Sequence, residues 1–279
     1  MQKFICSVLF LSLSIAGFAQ IDARMFRYPD VSDSQITFSY AGDIWIVSKN
    51  GGTATKLSSP AGEEIMPKFS PDGKTIAYSG NYGGNIDVYT IPVTGGIPHR
   101  LTWHGYSDRV VDWHPNGKQV LFASRRESGK NRWNQFYLTG TESGLPQKLP
   151  LAYAEFGSYS ADGKTIAFTD KSRLFRTWKR YLGGMAPDIW IMNLETKKAE
   201  KIAVSDANDE LPMIKGDKVY FLSDRGTAKR ANLWVYDRNT KAVKQLTHCS
   251  DYDVHFPSMG PDDIVYEAGG KLYLYNLST

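Results

Sequence analysis

The residues of this 279-residue chain best suited by type to bind something are arginines and lysines gathered in three clusters. Arg125, Arg126, Lys130 and Arg132 form the first, Lys171, Arg173, Arg176, Lys179 and Arg180 the second, and Arg225, Lys229 and Arg230 the third. Each lies between a short apolar stretch and an aromatic one. A guanidinium offers a planar fork of donors that matches a carboxylate through two parallel hydrogen bonds. Three such loops on one face would make an electrostatic funnel for anionic groups, with the terminal carboxylate of a peptide as the natural ligand. The same loops carry the acids Glu127, Asp170 and Asp224, and neighbouring loops add Asp108, Glu155, Asp206, Asp209, Glu210, Asp251 and Asp253. A mixed, solvated surface is therefore the competing reading.

Bond-breaking chemistry finds no support in residue spacing. Gly-x-Ser-x-Gly, the turn that presents a hydrolase serine, does not occur. His99, His104, His114, His248 and His255 fall into no metal-ligand spacing, and no cofactor or metal is implied. The acid pairs Glu63-Glu64 and Asp209-Glu210 sit where loops between units are expected, and carboxylates so placed are expected to be solvated. The glycine pairs that begin at 51, 83, 95 and 183 read as turns, because no strand-to-helix context surrounds them.

The elements that must carry the arginine loops repeat. Aromatic stretches recur as Asp43-Ile44-Trp45, Asp87-Val88-Tyr89, Gln135-Phe136-Tyr137, Asp188-Ile189-Trp190, Asn232-Leu233-Trp234 and Lys271-Leu272-Tyr273. Each follows a shorter apolar stretch: Ile36-Thr37-Phe38, Ile76-Ala77-Tyr78, Val120-Leu121-Phe122, Ile166-Ala167-Phe168, Val219-Tyr220-Phe221 or Ile264-Val265-Tyr266. A period of about 45 residues with several short strands per unit is that of propeller blades. Asp72-Gly73, Asn116-Gly117 and Asp162-Gly163 supply tight turns between strands. The sequence thus predicts an all-β, six-bladed β-propeller of four-stranded antiparallel blades, with helices scarce. In such a blade the loop from second to third strand opens on the face opposite the Asp-Gly turns, so the three arginine loops share one face. The sixth unit runs out before an outer strand. Either Ala23 to Tyr28 pairs there and closes the ring, or the edge stays open, and an open edge suggests that more polypeptide once followed.

Residues 1–19 read as a secretory signal peptide, with Lys3 as the positive start, an apolar run from Ile5 to Ile15 and a cleavage site at Gly17-Phe18-Ala19. The run is too short to span a bilayer, so no membrane span is expected after cleavage, and the product is exported to the periplasm or beyond. The propeller fills residues 20–279. Cys249 would be the only cysteine left, which excludes an intramolecular disulfide. A net charge of +4 is too slight to argue for nucleic acid, and export removes the chain from it.

Along nearly all of its mature length the chain resembles the first propeller of bacterial tricorn protease homologues. The resemblance rests on Phe38-Ser39-Tyr40-Ala41-Gly42-Asp43-Ile44-Trp45, Trp178-Lys179-Arg180-Tyr181 with Gly183-Gly184, Ala186-Pro187-Asp188-Ile189-Trp190, and Asp251-Tyr252-Asp253-Val254 leading to Gly260-Pro261-Asp262. In that family a seven-bladed propeller, a PDZ-like domain and a serine peptidase domain follow, so the resemblance implies a non-catalytic part with no catalytic residue to carry over. It also implies substrate-binding residues. A pair of adjacent arginines from the first propeller anchors the carboxylate terminus of the bound peptide, and Arg125 and Arg126 look like that pair.

Two functions remain open on this reading. One is the propeller part of an exported serine peptidase, guiding or anchoring peptide substrates and scaffolding a possible homo-oligomer. The other is a free-standing periplasmic propeller that binds a protein partner, as TolB does. TolB-like proteins carry a domain before the propeller, for which the chain leaves no room. The long insertion Lys171 to Pro187, with Phe175, Trp178 and Tyr181, is expected to dock against another domain or subunit.

Overall fold

The computed structural model describes residues 23–129, 133–142, 144–177 and 181–278. The signal peptide 1–19, Lys130, Arg132 and the string Trp178-Lys179-Arg180 lie outside the described residues. Six antiparallel sheets run in chain order, five of four strands and a last of three, with no helix among the described residues. This is the six-bladed propeller that the repeat predicts.

Within each blade the two aromatic stretches are direct cross-strand partners. Phe38 opposes Trp45, Tyr78 opposes Tyr89, Phe122 opposes Tyr137, Phe168 opposes Trp190, Phe221 opposes Trp234 and Tyr266 opposes Tyr273. Facing aromatic pairs stabilise an antiparallel register by about 0.2–1 kcal/mol each relative to small residues, which fixes the second and third strands against slippage. The turns that start these hairpins are built locally. The Ser70 hydroxyl accepts the Thr75 N–H at 3.0 Å, Asp72 accepts the Lys74 N–H at 3.1 Å, and Gly73 takes φ +68°. A side chain at Gly73 would strain that left-handed conformation. The core lies between blades as well as within them: Ile44, Ile76 and Tyr89 join blades one and two, and Leu121, Ile166 and Phe136 join blades three and four.

The inner strands carry a second repeat. Tyr28-Pro29, Met66-Pro67, Leu211-Pro212 and Phe256-Pro257 occupy equivalent places, and the residue before each proline has φ between 41° and 56°. At the same places the pairing register shifts, between Arg27 and Asp30, Ile65 and Lys68, Glu210 and Met213, and His255 and Ser258. A bulge leaves a proline's missing donor without cost to the ladder and re-aims its neighbour's side chain. Met66, Phe156, Leu211 and Phe256, with Tyr28 against them, accordingly converge on the axis. They narrow the central channel to a cavity of about 80 Å³.

Below this apolar ring the channel is lined by charge. Asp30 of blade one accepts the Phe69 N–H of blade two at 2.6 Å and the Ser258 hydroxyl of blade six, and the Lys68 ammonium stands 3.7 Å from the same carboxylate. Asp112 of blade three faces this group, and burial pushes its carboxyl up to about 6.

Ala23 to Tyr28 does not supply the outer strand of blade six. Arg27–Val31 is the inner strand of blade one, paired with Gln35–Tyr40, and the segment meets blade six through the Phe26 N–H on the Gly270 carbonyl and the Arg27 guanidinium 3.1 Å from Glu267. The last strand, Lys271–Asn276, therefore has no outer neighbour among the described residues.

Candidate functional site

Arg125 and Arg126 follow the second strand of blade three, Gln119–Ser124, and the structure sends them to different places. Arg126 turns inward. Its guanidinium donates to Asp108 at 2.5 Å and lies over the rings of Phe122 and Tyr137, 4.9 and 5.1 Å from their centroids. Its side chain is 11% exposed and that of Asp108 is 0%. Arg125 is exposed, and its side chain makes no hydrogen bond or ion pair among the described residues. Its carbonyl is held by the Ser128 N–H and hydroxyl, at 3.0 and 2.9 Å, so the loop beneath the side chain is fixed.

Beside Arg125 opens a cleft of about 370 Å³ between blades two, three and four. Arg109 forms one wall, donating to Glu155 at 2.8 Å and packing its guanidinium 4.9 Å from the Phe175 ring. Its Nε–H is buried without an acceptor. Asn134 donates to the same Glu155 oxygen, so the cleft's one carboxylate is already engaged. Arg176 forms the opposite wall and, like Arg125, is exposed without a side-chain partner among the described residues.

Phe175 and Arg176 come from the insertion between the second and third strands of blade four, Thr165–Thr169 and Ile189–Asn193. Arg173 docks that insertion. Its guanidinium stands 3.1 Å from Glu210 and 3.5 Å from Asp224, both on blade five, while Glu210 accepts the Ser172 hydroxyl at 2.7 Å. Phe175 then lies over the channel mouth, its centroid 6.0 Å from Phe156 and 6.1 Å from Phe256.

Half of the described cations that the sequence gathers on this face are thus paired with acids. Arg126 is paired with Asp108, Arg173 with Glu210 and Asp224, Arg225 with Asp209, and Lys171 with Asp170. The mixed surface describes the face as a whole, and unpaired arginine is concentrated at the cleft. The acid pairs expected in solvated loops are instead in inner strands: Glu64 is fully buried, accepting the Ile44 N–H at 2.8 Å, and Asp209 and Glu210 are each 2% exposed. Burial lifts Asp209 to about 6 and Glu210 to about 7. Sequence reasoning also left out Arg109, whose alternation within the strand Asp108–Trp113 marks it only as facing away from the buried Asp108 and Val110.

Six blades around a narrowed channel, with a basic cleft at one mouth, define a six-bladed β-propeller. Residues 23–279 match the Tricorn protease N-terminal beta propeller domain, and the chain belongs to that family. It is 28% identical over 258 residues to the tricorn protease homolog of Saccharolobus solfataricus, covering 90% of this chain and 23% of that one. Its structure superposes on the crystal structure of the tricorn protease with a TM-score of 0.81 at 22% identity, over 92% of this chain and 25% of that chain. A putative TolB from Agrobacterium tumefaciens shares the fold, with a TM-score of 0.66 at 21% identity over 88% and 83% of the two chains. The chain spans about a quarter of the length of the tricorn relatives it matches.

Proposed function

We propose that this propeller is the non-catalytic part of an exported tricorn-type serine peptidase and takes part in proteolysis by anchoring peptide substrates through their terminal carboxylate. The observation that carries the reading is Arg125: a solvent-facing guanidinium on a fixed loop, beside a cleft whose only carboxylate among the described residues is already held by Arg109 and Asn134. A free carboxylate placed there meets uncompensated positive charge and a two-pronged donor. Arg126 serves the same site as a positioning residue, because its ion pair with Asp108 sets the loop from which Arg125 projects. Export is supported by the charge and apolar pattern of residues 1–19. A scaffolding role for the peptidase domains of the polypeptide, or for a second copy, is supported by Trp103, Tyr106, Phe175 and Tyr252, all exposed in loops of the same face.

The test is a comparison of short peptides and their C-terminal amides in the peptidase that contains this propeller. Arg125→Ala is expected to raise KM for the free acids by tenfold or more while leaving KM for the amides and the melting temperature unchanged. A KM that rises equally for acids and amides rejects carboxylate anchoring.

A further inference from the structure

Apart from the Arg109–Glu155 pair in its wall, the cleft beside Arg125 carries its charge on exposed arginines. Ile65 and Ile86 of blade two and Ala123 of blade three line its depth, and the half-exposed Phe175 ring forms its side. Arg176, the neighbour of Phe175 in sequence, faces the same space from blade four. Two arginines without side-chain partners among the described residues therefore flank a partly apolar hollow of about 370 Å³, a volume at the lower end of small-molecule sites and ample for one amino-acid side chain.

We propose that this cleft selects peptide termini whose last side chain is apolar, with the carboxylate bridging Arg125 and Arg176 and the side chain lying against Phe175, Ile65 and Ile86. The inference rests on the carboxylate-anchoring reading and adds to it a second anchor and a specificity. Arg125 and Arg176 belong to different blades, so both reach one carboxylate only when Arg173 holds the blade-four insertion in place through Glu210 and Asp224. Burial of an aromatic side chain stabilises binding by amounts that correspond to about tenfold or more in affinity. A polar neutral side chain of similar reach buries less apolar area against Phe175, Ile65 and Ile86 and gains less of this.

Calorimetric titration of the protein with Ala-Ala-Phe, Ala-Ala-Phe amide and Ala-Ala-Asn, in wild type, Arg176→Ala, Phe175→Ala and Phe175→Leu, tests this directly. Ala-Ala-Phe is expected to bind at least about tenfold tighter than both its amide and Ala-Ala-Asn. Arg176→Ala should reduce the preference for acid over amide, Arg125 alone remaining as anchor. Phe175→Ala should erase the preference for Phe over Asn and keep that for acid over amide, with Phe175→Leu restoring part of what is lost. A wild type that prefers acid to amide but treats Phe and Asn alike, or an Arg176→Ala protein that keeps the acid preference undiminished, overturns the inference and leaves carboxylate anchoring standing. A wild type that binds acid and amide equally overturns both.

Discussion

Arg126 stands to Asp108 in blade three as Arg225 stands to Asp209 in blade five. Each arginine comes two residues after the end of the second strand and shares a serine hydroxyl with its own backbone N–H, Ser124 in one case and Ser223 in the other. Each reaches the first carboxylate of its blade's inner strand, at 2.5 and 2.6 Å, and covers an aromatic pair, Phe122 with Tyr137 and Phe221 with Trp234. A device found twice, in blades of different surroundings, is part of the frame. The position before it is where the blades diverge. Blade five has Asp224, buried and bonded to Asn208, and blade three has the unpaired Arg125.

Replacing Arg126 by alanine should accordingly cost stability. Asp108 would be left buried without its counter-charge, a situation that typically destabilises by about 3–5 kcal/mol. Arg225→Ala should behave alike, and Arg125→Ala should change stability by less than about 0.5 kcal/mol, as exposed substitutions do. Equilibrium denaturation of the three variants measures the split. Equal losses at 125 and 126 would remove the distinction drawn between them.

Asp30 ties three blades at the axis, and its loss should loosen the ring. Asp30→Ala leaves the buried Phe69 N–H and Ser258 hydroxyl without their acceptor and removes the counter-charge of Lys68. Each buried donor left unpaired costs about 1–3 kcal/mol, so a total of several kcal/mol is expected. Asp30→Asn keeps one accepting oxygen and should recover part of it. Hydrogen exchange at the inner strands of blades one, two and six reports the effect, and a loss confined to blade one alone would contradict the tie.

The seam between the last blade and the first depends on close approach at Gly260. A Cβ there would lie 2.6 Å from the Val31 carbonyl oxygen and 2.7 Å from Val31 Cγ1. Backbone cannot yield as a flexible side chain can, so Gly260→Ala should destabilise by about 1–3 kcal/mol through overpacking. Thermal melts decide it; an unchanged midpoint would mean that the seam has slack.

How far the sequence could be read follows from which forces act locally. The aromatic pairs and the Asp72-Gly73 type of turn were legible because partners lie within one hairpin and period two governs them. The proline repeat of the inner strands was equally present, at Pro29, Pro67, Pro212 and Pro257. Proline argues against a central strand, though, and only the bulge reconciles the two. Glu64, Asp209 and Glu210 looked solvated because their partners, Tyr82, Arg225 and Arg173, come from other strands and loops. Arg125 and Arg126 are indistinguishable in sequence for the same reason. What separates them is Asp108, 18 residues away.

Those buried acids also set the direction of pH dependence. Burial lifts Glu210 and Glu267 from 4.5 to about 7 despite Arg173 and Arg27 beside them, and lifts Asp209 and Asp112 from 3.8 to about 6. In the unfolded chain the same groups release their protons near pH 4. From there to about pH 7 the folded state holds more protons than the unfolded one, so stability falls as pH rises through this window and levels off above it. The fall should be on the order of a few kcal/mol for each such group, since each unit of difference corresponds to about 1.4 kcal/mol. Asp72, Asp162 and Asp237 are held below their ordinary value by hydrogen bonds in exposed turns, and they act oppositely, but at more acid pH. Glu210→Gln stays neutral throughout, so its stability should fall less between pH 5 and 8 than that of wild type. Urea midpoints across that range give the two slopes, and parallel curves would show that Glu210 does not hold its proton in the folded protein.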